Sequence, residues 1–199
     1  MFRDEQNGGT IVDKILKEIS ETLGDGVAFE DVPHEDAFKF LTREMPYLNA
    51  TVRETLRLHP SVPKNIKFSK SEDTLPDGTI VPAGIAVMWS PYAMARNPNI
   101  WGKDAKQYRP SRWFEDQDIS KSLAKDPPSS IYPVFHHMPR LCLGKGLALM
   151  EISLLTAALL QKYSFKPAME LSSEYTSTLV LPMKKGLHVR AQRRSNMVA

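Results

Sequence analysis

Phe135-His136-His137-Met138-Pro139-Arg140-Leu141-Cys142-Leu143-Gly144 carries the only cysteine of the 199 residues and runs into a long apolar helix pattern that starts near Lys145. A lone thiol at a loop-to-helix junction faces backbone N–H groups and the positive end of a helix dipole. That setting favours a thiolate able to ligate a metal. The plainer reading is a buried, inert cysteine beside a Pro-Arg turn. A zinc site with His136 and His137 is incomplete, because neighbouring histidines point apart and no second cysteine closes it.

Two more stretches bear on the choice. Glu54-Thr55-Leu56-Arg57 ends a helical pattern running from about Pro46 to Leu58, so Glu54 and Arg57 share one face and can pair. Downstream lies Tyr108-Arg109-Pro110-Ser111-Arg112-Trp113. Taken singly, the first two are a solvated helix pair worth a few tenths of a kcal/mol, and Arg112 is a surface charge.

Taken together, the three stretches resemble, in order and spacing, the haem-ligand loop, the Glu-x-x-Arg helix and the meander of cytochrome P-450 monooxygenases. Phe135, Arg140, Cys142 and Gly144 match the loop, and Met138 stands where that family has its first glycine. The resemblance implies that Cys142 is the axial thiolate on haem iron and Arg140 the partner of a haem propionate. It implies too that Phe135 packs beside the sulfur and that Gly144 lets the helix start close to the porphyrin. Arg112 is expected to close on Glu54 and Arg57 as a buried structural triad, and loss of one member of such a triad costs about 3–5 kcal/mol. Lys67 falls where many members carry a basic residue reaching a propionate. Ala148 is expected on the ligand-loop side of the following helix, small enough to allow close approach. If the family's glycine at 138 needs positive φ, Met138 is expected to store roughly 1–3 kcal/mol of strain and to weaken haem retention.

Composition fits one compact globular piece, 42% hydrophobic and 25% charged, with 15 prolines dividing it into short elements. The net charge of +3 is small and dispersed, which argues against nucleic acid as a partner. A single cysteine leaves no intramolecular disulfide framework, in keeping with an intracellular, reducing location and a thiol free for iron. The longest apolar run, Gly146 to Leu160, is interrupted by Glu151 and Ser153 and reads as a buried helix too short to span a bilayer.

Along the chain, Thr10 and Asp13 read as a capping box ahead of the stripe Ile11, Ile15, Leu16, Ile19 and Leu23, which Gly24 ends. A second amphipathic stretch lies around Phe38, Leu41 and Met45. After the 46–58 helix, Lys64 to Ser69, Thr79 to Val81 and Ile85 to Ser90 suggest a small antiparallel sheet with a turn at Leu75-Pro76-Asp77-Gly78. Tyr92 to Asn97 reads as a short helix, and Pro98 to Ser130 as irregular. A helix from about Lys145 to Tyr163 precedes a last strand pair, 178–182 with 187–191, turning at Lys184-Lys185-Gly186. The fold class is therefore mainly α with a small antiparallel β-sheet (α+β), the carboxyl-terminal part of the cytochrome P-450 fold.

By the same resemblance, residues 1–199 form a single incomplete domain lacking the distal oxygen-activating helix and the amino-terminal part. The segment from Leu58 to Phe114, with Pro60-Ser61-Val62-Pro63 and Ile100-Trp101-Gly102, looks most like the fatty-acid omega-hydroxylating branch. The implied activity inserts one oxygen atom of dioxygen into a lipid-like substrate, with electrons from NADPH through a reductase partner at the endoplasmic reticulum membrane. Two alternatives stand beside it: a truncated, non-catalytic remnant, and a haem- or partner-binding module without turnover.

Overall fold

The computed structural model describes residues 10–170, 174–176 and 178–194. Helix α1 (Ile11–Leu23) opens on the anticipated capping box: the Asp13 backbone N–H donates to Thr10 Oγ1 at 3.2 Å, and the Thr10 N–H donates back to Asp13 Oδ2 at 2.9 Å. It ends at Gly24, whose φ of +93° a side chain would strain. Ile11, Ile15 and Ile19 recur every four residues and form its buried face.

Helix α2 (His34–Lys39) runs into a π turn, Phe40–Glu44. Helix α3 (Pro46–Leu58) follows after Met45 with proline in its first turn, where no intrahelical N–H is required. Its N-terminus is capped from another element. Glu18 of α1 accepts the backbone N–H groups of Tyr47 and Leu48 at 2.6 and 2.8 Å. Burial pushes this carboxyl up to about 7, against the pull of those two bonds.

The strands form three separate two-stranded antiparallel ladders among the described residues, where the sequence suggested one small sheet over 64–90 and a separate last strand pair. β1 (Asn65–Phe68) pairs with β4 (Ala86–Trp89), with Ile66 opposite Met88 and Lys67 opposite Val87, and β2 (Asp73–Thr74) pairs with β3 (Ile80–Val81). Two single-turn helices follow, α4 (Pro91–Met94) and α5 (Pro98–Trp101), the latter inside the stretch read as irregular. Both begin on a proline behind a side-chain cap, Ser90 and Asn97.

Helix α6 (Lys145–Lys162) stops one residue short of expectation, because Tyr163 already belongs to β5 (Tyr163–Pro167). The last pair also differs. β6 (Val189–Arg193) pairs with β5 in the register Tyr163↔Arg193, and segment 178–182 contributes no strand. The turn at Gly186 is present, with φ +66°, but it closes a loop held by a single bridge between Tyr175 and Met183.

The core gathers Ile15 and Ile19 of α1, Leu48 and Val52 of α3, Trp113, Phe114 and Ala157 of α6. Helix α6 is apolar on every side, yet only Ser153 and Ala157 are fully buried. Its other face leaves Leu147, Ile152, Leu155 and Leu159 exposed.

Candidate haem site

Glu54 and Arg57, one turn apart at the end of α3, are both completely buried. Arg57 Nε and Nη2 donate to Glu54 Oε2 and Oε1, each at 2.8 Å, a planar two-point match that lysine cannot make. Arg112, in the 3₁₀ turn Pro110–Trp113, donates from Nε to Glu54 Oε1 at 2.9 Å and from Nη2 to Asp104 Oδ2 at 3.1 Å. The three residues anticipated as a triad are thus one network.

Sequence reading missed its other members. The Arg109 backbone N–H and the Trp113 indole N–H complete the shell of Glu54 at 2.7 and 3.1 Å. Arg57 also donates to the carbonyls of Ala95, Ala105 (2.7 Å) and Gln107 (3.1 Å). Backbone partners leave no residue-type signal. Trp113 lay in the quoted motif and could have been found. Burial works against the Asp104 carboxylate, but Arg112 and Arg109 beside it hold it below the ordinary carboxylate range.

The cysteine loop lies further along the chain. Cys142 is free and exposed, and its backbone N–H donates to the Phe135 carbonyl at 2.9 Å, which closes the loop. Its own carbonyl accepts the Lys145 N–H at 3.3 Å, so the chain turns directly into α6. A Cβ added at Gly144 would sit 4.0 Å from the Cys142 sulfur, and the missing side chain leaves that approach open. In the first turn of α6, the half-buried Ala148 donates its N–H to the Gly144 carbonyl at 2.8 Å. Phe135 is tied to the cysteine through its backbone, while its ring packs on the core and lies 5.8 Å from Lys145 Nζ.

Arg140 is exposed and meets no carboxylate among the described residues. Lys67 stands on β1 with Nζ 5.9 Å from the Trp89 ring centroid, and Trp89 meets His136 edge to face at 6.4 Å. The β1–β4 ladder thereby leans on the cysteine loop. No motif announces that contact.

Met138 departs from expectation. Its φ is not positive and its side chain is 68% exposed, so it neither strains the backbone nor lacks space. The left-handed residue of the loop is His136, at φ +61°. No cluster of three or more His, Cys, Asp or Glu side chains suited to a metal ion occurs among the described residues.

The profile of the Cytochrome P450 family matches residues 10–189. The chain belongs to the cytochrome P450 family. It is 41% identical over 151 residues to Cytochrome P450 CYP94D109 of Paris polyphylla, a match covering 74% of this chain and 29% of that protein. With Cytochrome P450 94B3 of Arabidopsis thaliana it shares 33% over 186 residues, covering 93% and 35% of the two chains. A short Cytochrome P450 of Helianthus annuus is 33% identical over 152 residues, covering 76% and 95%. The chain therefore spans about a third of the length of the first two relatives.

A cytochrome P450 carries haem, a broad apolar macrocycle with an anionic edge, and the residues around Cys142 fit such a group. Cys142 presents an exposed sulfur, a soft donor, in a segment that also exposes Leu141, Leu143 and Leu147, with Leu143 wholly uncovered, and Arg140 offers an unused cation nearby in sequence. No helix among the described residues is long and apolar enough to cross a membrane.

Proposed function

We propose that Cys142 is the axial ligand of haem and that the chain is the haem-binding part of a monooxygenase inserting one atom of dioxygen into a lipid-like C–H bond. The observation that carries this reading is the exposed Cys142 sulfur, set by the Phe135 carbonyl at the start of α6 among uncovered apolar side chains. When bound, haem supplies the dioxygen chemistry, and a thiolate ligand pushes electron density to the iron and favours O–O cleavage.

The chain's own residues do the holding. Cys142 gives the anionic soft ligand; Arg140 and Lys67 neutralise the propionates; Gly144 and Ala148 keep the start of α6 thin enough for close contact. Phe135 fixes the loop that presents the sulfur. Glu54, Arg57 and Arg112 brace the core behind it and touch no substrate. In this reading residues 1–199 are one part of a single larger domain. Oxygen activation and substrate enclosure draw on the rest of that domain, the distal helix included.

For the substrate we assign a long-chain fatty acid or alkane. The support is the resemblance of the Leu58–Phe114 segment to the fatty-acid omega-hydroxylating branch, beside the similarity of the chain as a whole to relatives named Cytochrome P450 94. Electrons come from NADPH through a reductase, at the endoplasmic reticulum membrane.

A second reading, haem binding without turnover, is favoured by the exposed Leu155 and Leu159 on the same face of α6 as Ala148, which leave that side of the site open. Haem titration followed at the Soret band tests the shared element. One haem per chain is expected, with binding weakened by Arg140→Ala and lost in Cys142→Ala; equal binding by wild type and Cys142→Ala would remove the assignment. Product formation by a whole domain that contains this chain, with reductase, NADPH and dodecanoate, then separates the two readings.

A further inference from the structure

Behind α6, on the side away from Ala148, a cavity of about 500 Å³ opens between that helix, α3, the π turn Phe40–Glu44 and the loop approaching Cys142. At 3.6 residues per turn, Gly146, Leu149, Met150 and Ser153 fall on one face of α6, while Ala148, Ile152, Leu155 and Leu159 fall on the opposite face. The cavity therefore opens on the side of α6 away from Ala148 and shares only Phe135 and Leu147 with the surface assigned to haem. Its size lies within the range of small-molecule sites.

Its interior is apolar: Leu41, Val52, Leu149 and Met150 line it, with the rings of Phe38 and Phe135. Two of the polar groups that line it, Thr42 and Asn49, are already engaged. Thr42 Oγ1 donates to the Phe38 carbonyl at 2.7 Å, and Asn49 Nδ2 donates to the carbonyls of Leu41 and Met45 at 2.7 and 2.8 Å. An apolar tail is what the interior accepts.

The mouth is different. Arg53 Nη1 and Lys145 Nζ converge on the single carboxylate of Asp126, at 3.3 and 3.5 Å. Two cations share one anion, so one positive charge is left over beside an apolar cavity, and all three side chains remain partly exposed. An added carboxylate at this point would make the charges equal in number, with charge-assisted hydrogen bonds stronger than neutral ones.

We infer that this cavity is a second binding site, taking a free single-tailed anionic amphiphile with its head at Arg53 and Lys145 and its tail along α6. The site is independent of haem, and its failure would leave the Cys142 assignment untouched.

Decanoate titrated calorimetrically into the haem-free chain tests it. Saturable one-to-one binding is expected, at least about tenfold tighter than that of decanol or decyltrimethylammonium. A Cβ added at Gly146 meets no heavy atom within 4 Å, so Gly146→Phe can fill the mouth without disturbing the fold, which far-ultraviolet circular dichroism checks. Gly146→Phe and Lys145→Glu should each weaken decanoate by about tenfold or more, and Leu155→Phe on the opposite face should change it by less than twofold. No saturable binding, equal binding of decanol, or sensitivity to Leu155→Phe but not to Gly146→Phe would each overturn the proposal. So would a chain that partitions onto phosphatidic acid vesicles yet ignores free decanoate.

Discussion

Glu54 carries more of the fold than its single charge suggests, because Arg57, Arg112, the Trp113 indole and the Arg109 backbone all donate to it in a fully buried site. Replacing it by glutamine keeps the shape but strands the buried Arg57 guanidinium and leaves Arg112 only the Asp104 carboxylate. Glu54→Gln is expected to cost about 3–5 kcal/mol in urea unfolding; a loss below about 1 kcal/mol would mean the arginines find water instead. Glu18 gives a prediction with a pH sign. Its carboxyl is raised by burial from 4.5 to about 7, so between those values the folded chain holds a proton that the unfolded chain has released. Stability relative to Glu18→Gln should therefore fall as pH rises from about 4.5 to 7, and level off above; thermal melts across that range would show it, and a flat difference would contradict it. The loop supplies the clearest lesson in legibility. The motif's offsets located the cysteine, but backbone conformation follows the path of the chain, which no offset encodes, and the positive φ fell on His136 rather than Met138. Met138→Gly should accordingly give no relief of strain, and lower stability by about 0.4–1 kcal/mol through added freedom of the unfolded chain.

Among the elements, α1 and α3 could be read to the residue, because each declares itself twice: in an apolar stripe of period 3.6 and in its end signals, Thr10 and Gly24 for one, Pro46 for the other. Thr10→Ala removes the hydroxyl that accepts the Asp13 N–H, leaving only the Thr10 backbone N–H on Asp13, and is expected to cost about 1 kcal/mol, measurable by chemical denaturation. The strands were less legible. β5 begins directly where α6 stops, so its Tyr163 was absorbed into the helix pattern, and β6 was assigned to a nearer partner at 178–182. Strand pairing is a long-range choice, and the turn at Gly186 fixes only where the chain bends. Helix α6 shows the same limit. Its apolar sequence announced a buried helix, and the structure buries one face while leaving Leu147, Leu155 and Leu159 uncovered.

Across the whole molecule, the uncovered residues are as informative as the core. Phe68 and Met88 on the β1–β4 ladder, Leu143 in the cysteine loop and Leu155 on α6 are large apolar side chains left exposed, a pattern that marks surfaces made to be covered. The family and the α+β class were legible from three motifs. The separation of haem face from rear cavity was not, since it depends on how α6 rotates against α3 and not on which residues it contains. The central claim is that the Cys142 sulfur binds haem iron as a thiolate. The reduced carbon-monoxide difference spectrum of the haem-loaded chain tests it most directly: a red-shifted Soret band that disappears in Cys142→His is the expected result, and an unshifted band identical in wild type and Cys142→His would contradict it.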